Sequence, residues 1–200
     1  MFAHKPFILA SSSKSRRKVL QTIKLNFKTK KPSCDEEHLK KKLRSSKTKP
    51  LNVVKSLARE KAKSVGKKHK KKLVIGCDTA IIFNNKLISK ARNKKEAFVK
   101  IKKLSGKNHK IISAISVFKN NKEIWSCHQL SVVKIRKLKD LEIKNYINKS
   151  GRDILGSVGC YQAELLGPTI IEKITGDFFN VMGLPLFPFL NFLKKDSYKK

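Results

Sequence analysis

Acidic residues are scarce in this chain: 14 Asp and Glu stand against 48 Lys and Arg in 200 residues, a formal charge of +34. That imbalance ordinarily points to nucleic acid or an anionic membrane. Here the lysines are spread through nearly every segment, aromatic residues make up only 8%, and neither an RNP-type aromatic motif nor a zinc finger is present. The even scatter fits a lysine-biased composition laid over an ordinary enzyme, with nonspecific adhesion to RNA or DNA at low salt as a side effect. Cysteine is also sparse. The four at 34, 77, 127 and 160 form no C-x-x-C pair, which removes the usual basis for a zinc site or a disulfide framework and fits a reducing cytoplasm. Long apolar runs are missing as well. Phe7 to Ala10 is too short for the core of a signal peptide, and Phe178 to Leu193 is broken by Pro185, Pro188 and Asn191, so a soluble protein with no membrane partner is expected.

What is present begins with Pro6-Phe-Ile-Leu-Ala-Ser-Ser-Ser-Lys-Ser-Arg-Arg-Lys-Val-Leu20: a short apolar strand, three hydroxyls, and a helix opening with two arginines. Free N–H groups at the helix start, the hydroxyls of Ser11, Ser12 and Ser13, and the guanidinium groups of Arg16 and Arg17 could converge on one phosphate. A serine-capped helix with no ligand accounts for the same residues. Phe27 to Cys34 reads as a second strand delivering the acidic cluster Asp35-Glu36-Glu37, followed by a basic connector from Lys40 to Lys49. Pro50 then starts a helix whose Leu51, Val54, Ala58, Ala62 and Val65 follow helical spacing up to Gly66, with Lys61 beside the apolar seam.

Lys67 to Lys72 reads as a solvated loop before Leu73 to Phe83, a near-continuous apolar stretch of the kind a central strand requires. Asn84-Asn85 turns it into a hairpin with Lys86 to Ser89. A helix follows from the Asn93 and Glu96 capping spacing to Gly106. Ile111 to Phe118, Glu123 to Cys127 and Leu130 to Ile135 read as a three-stranded meander. Asp140 then caps a helix through Ile147, Gly151 to Gly159 forms a loop, Thr169 to Ile174 is a strand, and Phe178 to Lys195 is partly helical. Strands and helices alternate with mixed spacing, which predicts an α/β fold with a mixed sheet in one domain spanning 1–200.

Asp78 is the strongest chemical candidate. A carboxylate flanked by Val74-Ile75 and Ile81-Ile82 needs a cation, a metal or a proton to compensate its desolvation; capping the next turn at a strand end is the structural alternative. Glu36 can join it, since Mg²⁺ is commonly held by one or two carboxylates with waters and phosphate oxygens. A solvated acidic turn would also explain Asp35 to Glu37. Spacing alone does not select Lys61 or Lys90 among so many lysines. His109 reads as a hydrogen-bonded structural histidine, and Cys77 and Cys160 as small buried hydrophobes.

Seven segments, in order, give these candidates a common frame: Leu9-Ala-Ser-Ser-Ser-Lys-Ser-Arg-Arg17, Ala58-Arg-Glu-Lys-Ala62, Ile75-Gly-Cys-Asp-Thr79, Lys90, Leu104-Ser-Gly-Lys-Asn-His109, Ser157-Val-Gly-Cys-Tyr-Gln162 and Gly176-Asp-Phe-Phe-Asn-Val-Met-Gly-Leu-Pro185. Together they resemble the motifs of the Maf family of nucleoside triphosphate pyrophosphatases, over nearly the whole chain. The resemblance implies hydrolysis between the α and β phosphates of a nucleotide, including modified or noncanonical ones, to a monophosphate and pyrophosphate. It implies a divalent metal (Mg or Mn), a mixed twisted sheet with flanking helices in two lobes around a nucleotide cleft (Maf/ITPase-like), and a homodimer. Carried over by position, Asp78 matches the family's proton acceptor, Arg16 its arginine, Glu36 its N-terminal acid, and Lys61 and Lys90 its lysines. Glu36 and Asp78 are then the metal ligands, and Ser11, Ser13 and Arg16 the substrate-binding residues.

The positions linked to base preference in this family fall on Ser15, Thr79 and Glu164. The branch acting on dTTP and UTP carries Arg, Thr and Gln there; the branch acting on 7-methyl-GTP carries a bulky residue, Gln and Glu. Thr79 resembles the first branch, whereas Ser157-Val-Gly-Cys-Tyr-Gln-Ala-Glu-Leu-Leu-Gly167 is more similar to the second. Lys14-Ser15 replaces the usual proline after Ser13, Ala91 replaces proline after Lys90, and Lys107 replaces arginine. None of these departures removes a proposed catalytic group. Two competing readings keep the same residues without hydrolysis: a basic nucleic-acid-binding protein, which requires a localised basic face, and a catalytically silent nucleotide-binding regulator.

Overall fold

The computed structural model describes residues 4–45 and 48–197. Its first strand, β1 (Phe7–Ala10), is buried along its whole length, as a strand paired on both sides should be. It lies parallel to β2 (Phe27–Lys30) and to β3 (Leu73–Phe83), with Phe7 opposite both Phe27 and Leu73. Parallel neighbours need crossovers. The helix α1 (Lys14–Thr22) supplies the first, and α2 (Glu36–Ser45) with α3 (Pro50–Gly66) the second.

At its far end β3 turns into the antiparallel β4 (Lys86–Ile88) through Asn84 and Asn85, both at positive φ (49° and 59°). Two consecutive left-handed residues suit a tight hairpin, and asparagine tolerates that conformation better than other side chains. The same device joins β5 (Asn108–Lys119) to β6 (Lys122–Ile135), where Asn120 and Asn121 stand at φ 50° and 62°. Between the hairpins lies α4 (Lys94–Leu104); after them come α5 (Asp140–Ser150), β7 (Ile171–Thr175), the single turn α6 (Phe178–Val181) and α7 (Leu186–Ser197). The strand order is β2-β1-β3-β5-β6-β7, with β4 on β3. β7 runs antiparallel to β6, so the sheet is mixed, as the sequence pattern predicts.

Three local expectations are corrected. The second strand ends at Lys30, and most of the expected basic connector is helical, as α2; residues 46 and 47 of that connector lie outside the described residues. Asp35 Oδ1 accepts from the backbone N–H of His38 (2.9 Å) and so caps α2. Glu36 and Glu37 then complement the positive end of the helix dipole. The expected meander is a two-stranded hairpin, because β6 alternates side chains without interruption from Trp125 through Ile135. Finally, Lys139 is the N-cap of α5, one residue before Asp140, and its N–H donates to Glu142 Oε2 (2.6 Å).

The chain divides into two compact units. One holds the chain up to Thr79, Ser113–Gln129 and the chain from Gly183 onward. Its core includes Ile8, Ala10, Ala62, Val65, Val74 and Phe118. Phe7 stacks on Phe27 (5.5 Å between ring centroids, 12° between planes) and meets Phe189 edge-on. Within this unit α3 rides directly on β3. A Cβ at Gly76 would lie 2.1 Å from the carbonyl oxygen of Ala58 and 2.5 Å from the nitrogen of Ala62, so only glycine beneath two alanines allows this approach. The other unit holds Ala80–Ile112 and Leu130–Met182. It packs Ile101, Leu104, Ile111, Ile135 and Ile143 in one cluster, each such side chain contributing about 1.5–3 kcal/mol when removed from water.

Candidate active site

The close approach at Gly76 determines what stands above it. Lys61 follows Ala58 by three residues and precedes Ala62, so the helix that rests on Gly76 delivers the Lys61 ammonium to the carboxylate two residues further along β3. Lys61 Nζ donates to Asp78 Oδ1 at 2.7 Å, and both residues are buried, each 7% exposed. The same ammonium reaches Glu36 Oε2 at 2.9 Å, from the first turn of α2. Lys40 lies 3.9 Å from that oxygen along the helix. One cation therefore gathers two carboxylates that are 42 residues apart in the chain. The carboxylate of Asp78, the group whose burial demands a counter-charge, has its partner in Lys61.

A second cluster begins at the neighbouring residue of β3. Ser13 caps α1, its Oγ accepting from the N–H of Arg16 at 3.3 Å. That cap fixes where the helix starts, and Arg16 at the third helical position turns inward. Its Nε donates to the carbonyl of Gly183 (2.7 Å), Nη1 to Ser11 Oγ (3.1 Å) and Nη2 to Thr79 Oγ1 (2.8 Å). Thr79 Oγ1 lies 2.9 Å from Ser113 Oγ on β5. Ser11 is itself oriented by the N–H of Ser13, at 3.2 Å. Arg17, one residue on, is exposed: successive helical residues diverge by about 100°, and the two guanidinium groups do not converge on one anion.

Cys77, the residue before Asp78 on β3, is fully buried. Burial is the main cause that pushes its thiol up to about 11, against the opposing pull of Arg16 and Lys61, so no thiolate nucleophile forms there. Burial likewise raises Cys160. His109 is 2% exposed and its Nε2 lies 2.6 Å from the hydroxyl of Tyr161. Desolvation lowers its pKa to about 4, which keeps the imidazole neutral near pH 7, in keeping with a structural role.

The first unit thus holds two clusters, one of Glu36, Lys61 and Asp78 and one of Ser11, Ser13, Arg16 and Thr79. Ser15 lies half-buried on the first turn of α1 in the same unit. Lys90 and Glu164 belong to the second unit. Lys90 is exposed just past β4, its carbonyl accepting from Lys100 Nζ (2.7 Å). Glu164 is half-buried in the turn closed by Leu165 N–H on the carbonyl of Gln162 (3.1 Å).

Two contributors escape sequence reasoning. Gly183 acts through a backbone carbonyl, which no side-chain pattern announces; only its place in the Gly176 to Pro185 segment marks it. Ser113 had a legible signal: a hydroxyl inside the apolar strand Ile111-Ile-Ser-Ala-Ile115.

Comparison with known proteins now bears on this geometry. The profile described as Maf-like protein matches residues 6–196. The chain belongs to the Maf family. A 7-methyl-GTP pyrophosphatase from Bartonella quintana (strain Toulouse) is 39% identical over 183 residues, covering 92% of this chain and 91% of its own length. A nucleoside triphosphate pyrophosphatase from Ruegeria pomeroyi (strain ATCC 700808 / DSM 15171 / DSS-3) is 33% identical over 188 residues, covering 94% of each chain. A 7-methyl-GTP pyrophosphatase from Rhizobium meliloti (strain 1021) is 35% identical over 188 residues, again covering 94% of each. The mixed α/β sheet and the seven ordered motifs of this Maf chain accord with that membership.

Proposed function

We propose that this Maf chain is a nucleoside triphosphate pyrophosphatase that hydrolyses the bond between the α and β phosphates of a nucleotide, giving a monophosphate and pyrophosphate. The observation that carries the reading is the buried pair of Lys61 and Asp78, joined by the half-exposed Glu36, with Asp78 next in sequence to Thr79, the partner of the Arg16 guanidinium. Relatives of similar length named for this activity support it.

Each group has a role that its placement suits. Asp78, paired through Oδ1, uses its carboxylate to orient a water and accept its proton. Arg16 donates N–H groups to phosphate oxygens. Lys61 offsets the negative charge that builds on departing pyrophosphate. Ser11 and Ser13 define the turn from which Arg16 projects. Among the described residues no three His, Cys, Asp or Glu side chains group as a metal cage, yet the donor set fits a hard, largely hydrated ion. Glu36 and Asp78 already turn carboxylate oxygens toward a single ammonium, and one or two carboxylates with phosphate oxygens are the usual complement of Mg²⁺. When bound through these two residues, Mg²⁺ or Mn²⁺ would supply Lewis-acid neutralisation of the triphosphate. Among the described residues no helix is long and apolar enough to cross a membrane.

The test is a nucleotide panel with Mg²⁺ that includes dTTP, UTP and 7-methyl-GTP. The expected products are monophosphate and pyrophosphate in equal amounts, with Asp78→Asn reducing turnover by about 10²–10⁴-fold, as for loss of a positioned base. Release of orthophosphate alone, or turnover undiminished in Asp78→Asn, would overturn the proposal.

A further inference from the structure

Thr79 occupies a position that the family resemblance ties to base preference, and its geometry in this chain assigns it other work. A threonine hydroxyl has one proton and two lone pairs. Arg16 Nη2 approaches Oγ1 at 2.8 Å and can only donate; the carbonyl of Gly183 lies at 3.3 Å and can only accept. Ser113 Oγ, at 2.9 Å, completes the set. Whether Thr79 gives its proton to Gly183 and accepts from Ser113, or gives it to Ser113 with the Gly183 carbonyl still against it, three polar partners surround the Thr79 hydroxyl. No base edge is needed to satisfy it.

The same bonds constrain Arg16. Among the described residues, three of its five N–H groups are engaged: Nε with Gly183, one on Nη1 with Ser11, and one on Nη2 with Thr79. One N–H on each terminal nitrogen remains, which is the pair a phosphate can take. Gly183 leaves the room in which the guanidinium sits. It stands at φ +97°, and a Cβ there would lie 2.9 Å from Thr79 Oγ1 and 3.4 Å from both Nε and Nη2 of Arg16. Ser113 is fully buried on β5, out of reach of a solvent-borne ligand, so its hydroxyl acts through Thr79.

We propose that Ser113 and Thr79 are positioning residues: a buried Ser113–Thr79–Arg16 chain, closed by the carbonyl of Gly183, aims the two remaining N–H groups of Arg16 at phosphate, and Thr79 does not read the base. The proposal rests on the reading of Arg16 as a phosphate-binding residue. It reduces the mixed specificity pattern of this chain to Ser15 and Glu164.

The experiment measures two quantities on the full chain: kcat/KM for triphosphates bearing different bases, and the affinity for inorganic pyrophosphate by calorimetry. The near-isosteric Thr79→Val should weaken pyrophosphate binding and lower kcat/KM by about 10- to 100-fold, the usual scale for stripping a partner from a buried charged donor, and Ser113→Ala should do the same by about 2- to 10-fold, the scale of a neutral hydrogen bond. The loss should be equal for every base. Ser113→Thr and Thr79→Ser, which keep the hydroxyl, should restore most of it. In an Arg16→Lys background Ser113→Ala should cost little more, because the residue it positions is already gone; loss of fold alone would not show this dependence.

A change in the ratio between bases in Thr79→Val, with pyrophosphate affinity intact, would overturn the proposal, as would full additivity with Arg16→Lys. If the wild type binds pyrophosphate in an Arg16-dependent way but hydrolyses no triphosphate, the pyrophosphatase reading fails while the positioning claim is still decided by the binding arm. Absence of Arg16-dependent pyrophosphate binding sinks the positioning claim itself. Should Ser113→Ala fail to fold, Thr79→Val and Thr79→Ser carry the same decision.

Discussion

The two units differ in whether they bury charge. Among the described residues every buried charge, Arg16, Lys61 and Asp78, lies in the first unit, whereas the second buries His109, Ser131 and Asn180. The neutral set ties backbone together: Asn180 Nδ2 donates to the carbonyl of Ile111 (3.3 Å) and to Ser131 Oγ (2.8 Å), and Ser131 donates to the carbonyl of Asp177 (3.0 Å). Neutral groups can be satisfied locally and left alone. Buried charges cost several kcal/mol each unless paired, and the three that the first unit keeps are among the groups proposed to act on the nucleotide.

Removing the ammonium that joins the carboxylates should break this contrast most severely. Lys61→Met leaves Asp78 buried without its counter-charge, and stability measured by urea unfolding should fall by about 3–5 kcal/mol. Pyrophosphatase activity should fall with it. Adding Asp78→Leu to Lys61→Met should recover much of the stability and none of the activity, because an apolar pair of similar volume tolerates the site that a lone charge does not. A small loss in Lys61→Met, with no recovery in the double variant, would remove the distinction between the units.

His109 tests the other side. Its pKa is lowered from 6.5 to about 4 by desolvation, so between those values the unfolded chain binds the proton that the folded chain refuses. The contribution is therefore complete above pH 6.5 and is lost as pH falls toward 4, amounting to about 3 kcal/mol over that window. His109→Gln keeps a polar partner for Tyr161 and removes the titration, so its stability curve should be flatter than that of the wild type between pH 4 and 6.5 and parallel to it above. Equal slopes in the acid limb would show that His109 is not held neutral.

The contact that sets up the charged cluster gives a smaller effect. Gly76→Ala forces a methyl against the backbone of Ala58 and Ala62, which should cost about 1–3 kcal/mol as overpacking. Activity should drop beyond what the stability loss explains, since α3 carries Lys61. A variant that keeps full turnover at saturating substrate would detach the register of α3 from the chemistry.

Much of this layout was legible in the residues themselves. The apolar stretch around Asp78, the helical spacing that ends at Gly66 and the two Asn-Asn turns each state their structure through local chemistry. The features that were not legible depend on tertiary partners. α2 hides because Leu39 and Leu43 are its only apolar pair among lysines, although Asp35 was in place as a cap. β6 reads as two strands because its exposed face, Ser126, His128 and Leu130, breaks the apolar pattern. The pairing of Lys61 with Asp78 has no local signature at all; among 48 Lys and Arg, only the fold selects the one that is buried. Gly183 is further still from legibility, because its carbonyl carries no residue identity.

The smallest effect is expected where charge is plentiful and exposed. Lys102 Nζ donates to Asp140 Oδ2 at 2.9 Å, joining α4 to α5 in the second unit, with side chains 57% and 55% exposed. In geometry this pair rivals Lys61 and Asp78. In solvent, however, its attraction is screened, and holding two long side chains in one arrangement costs entropy, so Lys102→Ala should change stability by less than about 0.5 kcal/mol. Removing a positive charge from a chain at +34 also relieves repulsion, and at low salt the change should be stabilising or nil. A measured loss above about 1 kcal/mol would mean that surface lysines carry structural weight in this protein, and burial would no longer be what separates the cluster around Asp78 from the rest of the basic surface.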